Sequence, residues 1–253
     1  MFSAALRILA TTALGGSAGL LGGLFGVGGG AIAIPLLGLL YHLDQQTAQG
    51  TTLVMVVPNV LLGFWRYRQR VGVDLRIAGA LAFSAMASTY PAARFATGLD
   101  PRGLRFAFAG FLVTLAAIIA YRTRHGFSRQ PDREPLPWGW SVPLGIVGGI
   151  VSGLFGVGGA LIVPPALTAF FGVRQIEAQG LGLALVAPGS VIALAAYAGA
   201  GQVDWRLGIP LAVGGVMAIS AGVAFAHRLP ERRLRFAFCS LLVLIAALLA
   251  LHG

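Results

Sequence analysis

The stretch "GGLFGVGGGAIAIP", residues 22–35, interrupts a long apolar segment with six glycines. Each glycine in a helix interior costs about 1 kcal/mol relative to alanine, so such a run breaks a helix. A second stretch, "SGLFGVGGALIVPP" at residues 152–165, has nearly the same letters. We therefore expect two helix breaks of the same kind in one chain.

The composition around these breaks is that of a membrane protein. Of the 253 residues, 57% are hydrophobic and only 10% are charged, whereas soluble domains carry about 25% charged residues. The apolar runs are long, rich in Leu and Ala, and do not alternate with polar residues. They therefore predict membrane-spanning helices rather than barrel strands, and the fold class is all-α integral membrane.

The formal net charge of +10 comes entirely from arginine, because the chain contains no lysine. A basic chain can bind nucleic acid. Here the arginines lie at the edges of apolar runs, so we expect the lipid bilayer with its anionic headgroups as the partner, and no nucleic acid. The single cysteine, Cys239, lies within an apolar run and is interpreted as a small buried hydrophobe.

The beginning of the chain, "MFSAALRILATTALGGSAG", has the early arginine and small residues of a signal peptide. It has a counterpart in mid-chain, "LPWGWSVPLGIVGG" at residues 136–149. A segment that forms half of a repeat is retained, so we interpret it as structural.

The sequence repeats itself at an offset of 130 residues, without gaps. Residues 23–29 match 153–159 letter for letter, and the A-Q-G of 48–50 returns at 178–180. Such internal symmetry is found in many transporters. We expect an N-terminal repeat at 1–122, a polar linker at 123–137 and a C-terminal repeat at 138–253, which together form one transport unit.

Each repeat contains four apolar segments, of which the last three have the length of a membrane span. The first is longer and is interrupted by glycines, so we expect a broken helix or a re-entrant hairpin. The segments are 4–43, 48–65, 77–97 and 104–121, then 138–171, 178–199, 207–226 and 234–251.

The orientation of the repeats is left open by the arginine clusters, which satisfy the positive-inside rule only in part. If the first segment crosses once, the halves have the same orientation; if it is a hairpin, they are inverted. We favour inversion, because it brings the two glycine breaks face to face at mid-membrane.

The glycine breaks have two alternative interpretations. A G-x-G pattern followed by Asp44 resembles a dinucleotide fingerprint, but no strand precedes it and the second copy has Arg174 in place of Asp44. Close helix packing explains spaced glycines such as Gly15 and Gly19, but not consecutive ones.

A helix break inside a bilayer is tolerated where it lines a cavity or is buried in protein, and the next helix starts with free N–H groups that suit an anion. We therefore predict a substrate site at the breaks. Its main-chain residues are Gly26, Val27, Gly28, Gly29, Gly156, Val157, Gly158 and Gly159.

Polar side chains on the following segments are the candidates to complete this site. Gln49 and Gln179 open equivalent segments, and Thr51, Thr52 and Asn59 follow Gln49. Arg94 and Arg66 lie near segment ends without a counterpart in the other repeat, and they are candidates for pairing with an anion. Two further residues, Asp74 and Asp204, are predicted to be helix N-caps.

The sequence lacks the residue patterns of common catalytic and metal sites, which disfavours an enzyme. All eight carboxylates lie in loops or at segment ends, the histidines lack metal-ligand spacing, and no catalytic motif is present. We therefore expect no enzyme activity, no cofactor and no metal.

The two G-L-F-G-V-G-G motifs, each followed by an I/V-x-P ending and an A-Q-G segment, resemble the sulfite exporter TauE/SafE family of membrane permeases. The resemblance covers nearly the whole chain. It implies transport of small sulfur-containing anions, such as sulfite, sulfonates or sulfoacetate-like compounds, across a bacterial inner membrane. It maps the glycine motif onto Gly23–Gly29 and Gly153–Gly159 and carries over no individual binding side chain.

The predicted function is thus a multi-pass permease for a small sulfur anion, working by alternating access, with the anion held at paired half-helix N-termini. Two alternatives remain at this point: a permease or channel for another small solute, and a membrane-embedded enzyme or scaffold. The sequence is compatible with a homo-oligomer.

Overall fold

The fold consists of α-helices throughout the part of the chain that the computed structural model describes, which is residues 4–70, 74–124, 137–157, 161–226 and 228–251. Residues 125–136 of the predicted linker, and Gly158 and Gly159, lie outside the described residues. A short 3₁₀ turn at Trp138–Trp140 precedes the second set of helices. The helices are α1 (Ala4–Phe25), α2 (Gly30–Tyr41), α3 (Gln45–Arg70), α4 (Leu75–Thr97), α5 (Pro101–Arg124), α6 (Ser141–Phe155), α7 (Val163–Phe170), α8 (Gln175–Gly199), α9 (Trp205–Ala226) and α10 (Glu231–Leu251).

Six stretches are long and apolar enough to cross a membrane, which agrees with the prediction of an all-α integral membrane protein. They are Ala5–Phe25, Gln45–Gln69, Pro101–Tyr121, Trp138–Phe155, Ile176–Gly199 and Trp205–Ala226. Large apolar side chains face outward, for example Phe83 at 78% and Met217 at 76% exposure. A surface of this kind suits contact with lipid.

Helix α4 is absent from these six although it has 23 residues. Ser84, Ser88 and Thr89 lie in its middle and lower its apolar character. Their hydroxyls donate to main-chain carbonyls, and Ser88 reaches the carbonyl oxygen of Ile146 on α6 at 3.0 Å. The polarity of α4 is therefore directed in part at a neighbouring helix.

The N-cap predictions are confirmed at both aspartates. The main-chain N–H of Arg76 donates to Oδ1 of Asp74 at 2.8 Å, and that of Arg206 donates to Oδ1 of Asp204 at 2.9 Å. Because each carboxylate satisfies a free N–H of the first turn, α4 and α9 begin directly after their aspartate.

The first break folds the chain back on itself. Gly26, Gly28 and Gly29 have positive φ angles of 69°, 73° and 90°, which form a tight turn between α1 and α2. At the other end of this pair, the hydroxyls of Thr11 and Tyr41 are hydrogen-bonded at 2.6 Å. Helix α2 therefore runs back beside α1 as a hairpin.

Helix α1 packs backbone to backbone against α9. A Cβ on Gly19 would lie 2.5 Å from the carbonyl oxygen of Gly215, and Gly15 and Gly23 approach the carbonyls of Leu211 and Ile219 still more closely. Because residue numbers rise together along the two helices, α1 and α9 run parallel. Small residues permit this close approach in membrane helices.

Helix α6 packs in the same way against α4. A Cβ on Gly149 would lie 2.5 Å from the carbonyl oxygen of Ala85, and one on Gly153 would approach the carbonyl oxygen of Thr89. Here too the residue numbers rise together, so α4 and α6 run parallel.

Helices α3 and α8 form the centre of the fold, with 61% and 67% of their apolar windows buried, more than in the other four candidate spans. They are antiparallel. Gln49 near the start of α3 bonds to Tyr197 near the end of α8, while Tyr67 near the end of α3 bonds to Gln179 near the start of α8.

Candidate functional site

The two glycine turns touch each other at the centre of the molecule. A Cβ on Gly30, the first residue of α2, would lie 3.2 Å from Cα of Val157 and 3.4 Å from the carbonyl oxygen of Gly156. Val27 and Val157 are both buried. The predicted main-chain residues 26–29 and 156–157 are thus brought together, while Gly158 and Gly159 lie outside the described residues.

Each turn rests on the glutamine of the opposite A-Q-G segment. A Cβ on Gly26 would lie 2.8 Å from Cβ of Gln179, and a Cβ on Gly156 would lie 3.1 Å from Cβ of Gln49. Both glycines also have positive φ, 69° and 64°. Glycine is therefore required here twice over, by the backbone conformation and by the lack of space.

Two tyrosines bind these glutamines, and the sequence analysis did not identify them. The hydroxyl of Tyr67 donates to Oε1 of Gln179 at 2.8 Å, and the hydroxyl of Tyr197 donates to Oε1 of Gln49 at 2.7 Å. Each hydroxyl also lies near a main-chain carbonyl just before a glycine turn. The Tyr67 hydroxyl is 3.1 Å from the carbonyl oxygen of Gly23 on α1, and that of Tyr197 is 3.3 Å from the carbonyl oxygen of Gly153 on α6. The internal repeat could have indicated them, because the two tyrosines are separated by 130 residues, which is the offset of the repeat.

One face of α3 packs against the first turn. Gln49, Thr52, Val56 and Asn59 follow one another at spacings of three and four residues and so lie on the same side of the helix. Val56 lies against Gly28 and Gly30, and Nδ2 of Asn59 donates to the carbonyl oxygen of Gly28 at 3.4 Å.

Several buried polar atoms of this region have no hydrogen-bond partner among the described residues. They are Nε2 of Gln49, Oγ1 of Thr52, Oδ1 of Asn59 and Oγ of Ser152, and all four residues are fully buried. A buried polar group without a partner costs about 1–3 kcal/mol. Unpartnered polar groups that cluster around two helix breaks can bind a polar ligand.

The second half offers fewer polar side chains on the equivalent helix, since α8 has Gly182 and Gly189 where α3 has Thr52 and Asn59. Hydroxyls from other helices lie at this place instead. A Cβ on Gly189 would lie 3.3 Å from Oγ1 of Thr89 and 3.6 Å from Oγ of Ser152. The sequence analysis missed Thr89 and Ser152, because they become neighbours only when α4 packs on α6.

Thr51 and the two arginines have surroundings other than the turns. The hydroxyl of Thr51 accepts a hydrogen bond from the main-chain N–H of Asp204 at 2.9 Å, which ties α3 to the start of α9. Arg94 is exposed in the last turn of α4. Arg66 is half-buried, and its guanidinium carbon lies 5.0 Å from the centroid of the Trp65 ring.

A small cavity of about 10 Å³ lies beside the first turn, between α1, α2 and α10. It has room for about one water molecule at most. Its lining is apolar: Leu21, Gly22, Phe25, Val27, Gly29, Ala31, Ile32, Phe238, Leu241 and Leu242. The polar atoms of α3 and α6 without a partner among the described residues do not line this cavity.

The known proteins that this chain resembles are named as probable membrane transporters. The chain is similar to the probable membrane transporter protein YdhB of Bacillus subtilis, with 27% identity over 84% of this chain and 88% of the relative. It is similar to a probable membrane transporter protein of Methanocaldococcus jannaschii, with 26% identity over 88% of both chains. A third relative, from Xylella fastidiosa, is 28% identical over 88% of this chain and 86% of its own length.

No solved structure matches the chain. The family model described as "Sulfite exporter TauE/SafE" matches residues 11–249, which include both glycine turns and both A-Q-G segments. The match extends over nearly the whole sequence, and the chain therefore belongs to the sulfite exporter TauE/SafE family.

Proposed function

We propose that this protein is a permease that moves a small sulfur-containing anion, such as sulfite, a sulfonate or a sulfoacetate-like compound, across the bacterial inner membrane. The family description supports the substrate class. The relatives named as probable membrane transporter proteins support transport rather than enzyme activity or a scaffold role.

The observation that carries the proposal is the contact between the two glycine turns, surrounded by buried donors. Helix α2 begins at Gly30, and its N-cap Gly29 has no side chain to satisfy the N–H groups of the first turn. The N–H of Ile32 donates to the carbonyl oxygen of Gly29, so the candidate donors are those of Gly30 and Ala31. The start of a helix with free N–H groups attracts anions. Nε2 of Gln49 is a second donor, since it is buried without a described partner and its residue lies on Gly156, next to Gly30.

The anion in this proposal lies between the two turns. The main chain of Gly26, Val27, Gly28 and Gly29 is on one side, and that of Gly156 and Val157 is on the other; the predicted site residues Gly158 and Gly159 lie outside the described residues. Gln49, Gln179 and Thr52 supply side-chain donors. Asn59 contributes the second N–H of Nδ2, since the first donates to the carbonyl oxygen of Gly28. Thr51 and Arg94 are left out because of their surroundings, and Arg66 is kept as a candidate that attracts the anion near the end of α3.

Alternating access follows from two repeats, 1–122 and 138–253, in opposite orientations. The antiparallel course of α3 and α8 supports this orientation, because these helices occupy equivalent positions in the two repeats. The hairpin of α1 and α2 supports it too, since a hairpin and three crossing helices bring the chain out on the opposite side. When two inverted repeats exchange their conformations, a site that was open to one side of the membrane opens to the other side.

A flux measurement tests the proposal. The purified chain is reconstituted in liposomes loaded with sulfite or methanesulfonate, and efflux is followed with sulfate and acetate as comparison anions. We expect saturable flux of the first two that Gly28→Val abolishes, because a Cβ on Gly28 would lie 2.6 Å from the Val60 side chain and its φ is positive. Wild-type protein that inserts correctly and moves neither sulfite nor methanesulfonate would refute the proposal.

A further inference from the structure

The side-chain amides of Gln49 and Gln179 each accept a hydrogen bond from a tyrosine hydroxyl through Oε1. The hydroxyl of Tyr197 donates to Oε1 of Gln49 at 2.7 Å, so the acceptor end of this amide is occupied. Nε2 of Gln49 is fully buried and has no hydrogen-bond partner among the described residues. The donor end is thus the end that remains open.

The amide of Gln179 is oriented in the same sense. Its Oε1 accepts from Tyr67 at 2.8 Å, and its Nε2 lies 3.5 Å from the carbonyl oxygen of Leu24. A flipped amide would place its oxygen against that carbonyl oxygen, so the contact favours the orientation with the donors away from the tyrosine. The two pairs, 130 residues apart, have the same polarity.

The orientation of a glutamine amide determines whether the site favours an anionic or a cationic ligand. An unoriented glutamine can present either its carbonyl oxygen or its two N–H donors to a ligand. Toward an oxyanion only the donors are favourable, because the amide oxygen would repel it. A hydroxyl that donates to Oε1 therefore leaves the N–H donors of the amide for the ligand.

We propose that Tyr197 and Tyr67 are positioning residues that make the site selective for anions: they bind Oε1 of Gln49 and Gln179 and so direct the N–H donors at a bound sulfonate or sulfite oxygen. The proposal rests on the function proposed above. Nε2 of Gln179 has a main-chain partner, whereas Nε2 of Gln49 has none within the part of the chain that the structure describes, so Gln49 is the open donor in this conformation.

The experiment uses the reconstituted full chain and methanesulfonate, which remains singly charged over the working pH range. In Gln49→Glu, one carboxyl oxygen still accepts from Tyr197, while the other replaces the donor nitrogen. We expect KM to rise at least about tenfold at neutral pH, the effect of losing a hydrogen bond to a charged group. Transport recovers as the pH falls, because a protonated carboxyl can donate; the wild type has no such pH profile.

A second variant, Tyr197→Phe, leaves both amide ends of Gln49 in place but frees them to rotate. We expect KM for methanesulfonate to rise several-fold with a smaller change in the maximal rate. Competition by the neutral analogue methanesulfonamide, whose N–H groups can donate to a rotated amide oxygen, should increase at the same time. Tyr41→Phe is the matched control, because it removes a hydroxyl that is bonded to Thr11 at the open end of the hairpin, and it should keep the wild-type KM.

The outcomes separate the two proposals. If the wild type moves neither methanesulfonate nor sulfite, the proposed function fails and this inference fails with it. If the wild type transports while Gln49→Glu keeps the wild-type KM at every pH, only the inference is overturned. A Tyr197→Phe protein with a lowered melting temperature but unchanged KM and selectivity would assign the tyrosine a purely structural role and would also overturn it.

Discussion

Gly30 lies directly against Val157, so that a Cβ on the glycine would be 3.2 Å from Cα of the valine. The two residues belong to breaks that are far apart in the chain but have the same sequence motif. Their contact brings the start of α2 next to the turn that follows α6. The proposed site therefore depends on both halves of the chain.

A disulfide between positions 30 and 157 should form and stop transport. The approach of Gly30 to Val157 lies within the range that a disulfide can bridge. In a Cys239→Ala background, we expect oxidised Gly30→Cys/Val157→Cys to cross-link and lose flux, because the two turns can no longer move apart. Reduction should restore the flux.

The matched control is Gly79→Cys/Val157→Cys, since a Cβ on Gly79 has no atom within 4 Å. This pair should neither cross-link nor respond to oxidation. Cross-linking of the test pair without loss of flux would show that the turns remain together during transport, and alternating access would then need another moving element.

Gly26→Ala should impair transport more than its backbone strain alone explains. The φ of 69° costs a non-glycine residue about 1–2 kcal/mol, and the added methyl would also press on Gln179. Gly201→Ala is the control, because its φ of 73° is similar but a Cβ there meets nothing within 4 Å. We expect both variants to lose thermal stability, Gly26→Ala more than Gly201→Ala because of the added clash, and the KM for methanesulfonate to rise only in Gly26→Ala. Equal KM values would contradict the role of the turn.

The sequence predicted the breaks, the helical class and the caps, because each depends on local chemistry. Glycine runs break helices, long apolar segments span a bilayer, and aspartate binds the first N–H groups of a helix. The glutamines could also be chosen as site residues, since each opens an apolar helix at the same place in both halves.

The tyrosine partners could not be assigned from local patterns, because their hydrogen bonds join residues 112 and 148 positions apart. Thr51 shows a different limit. It neighbours Thr52 in sequence, but adjacent residues do not share a helix face, and its hydroxyl accepts from Asp204 of the α9 start. Both residues are polar, so residue type alone did not show that Thr52 lies on the face toward the turn while Thr51 bonds to the start of α9.

The backbone contact between α1 and α9 predicts opposite effects of alanine at two glycines. Gly15→Ala should destabilise the protein by roughly 1–3 kcal/mol, because the methyl collides with the carbonyl of Leu211 and the helices must separate. Gly110→Ala on α5 should be neutral or stabilising, since a Cβ there meets nothing within 4 Å and alanine favours the helix. Denaturant or thermal unfolding in detergent measures both, and equal effects would contradict the close packing.

The proposed inversion of the repeats can be tested at two exposed positions that are 130 residues apart, Gly98 after α4 and Arg228 after α9. In a Cys239→Ala background, we expect a membrane-impermeant maleimide added outside intact cells to label only one of Gly98→Cys and Arg228→Cys. The antiparallel α3 and α8 require this result, because the loops that follow equivalent helices then face opposite sides. Labelling after permeabilisation controls for access to the second cysteine. If both positions react from the same side, the repeats have the same orientation, and alternating access by exchange of inverted halves is excluded.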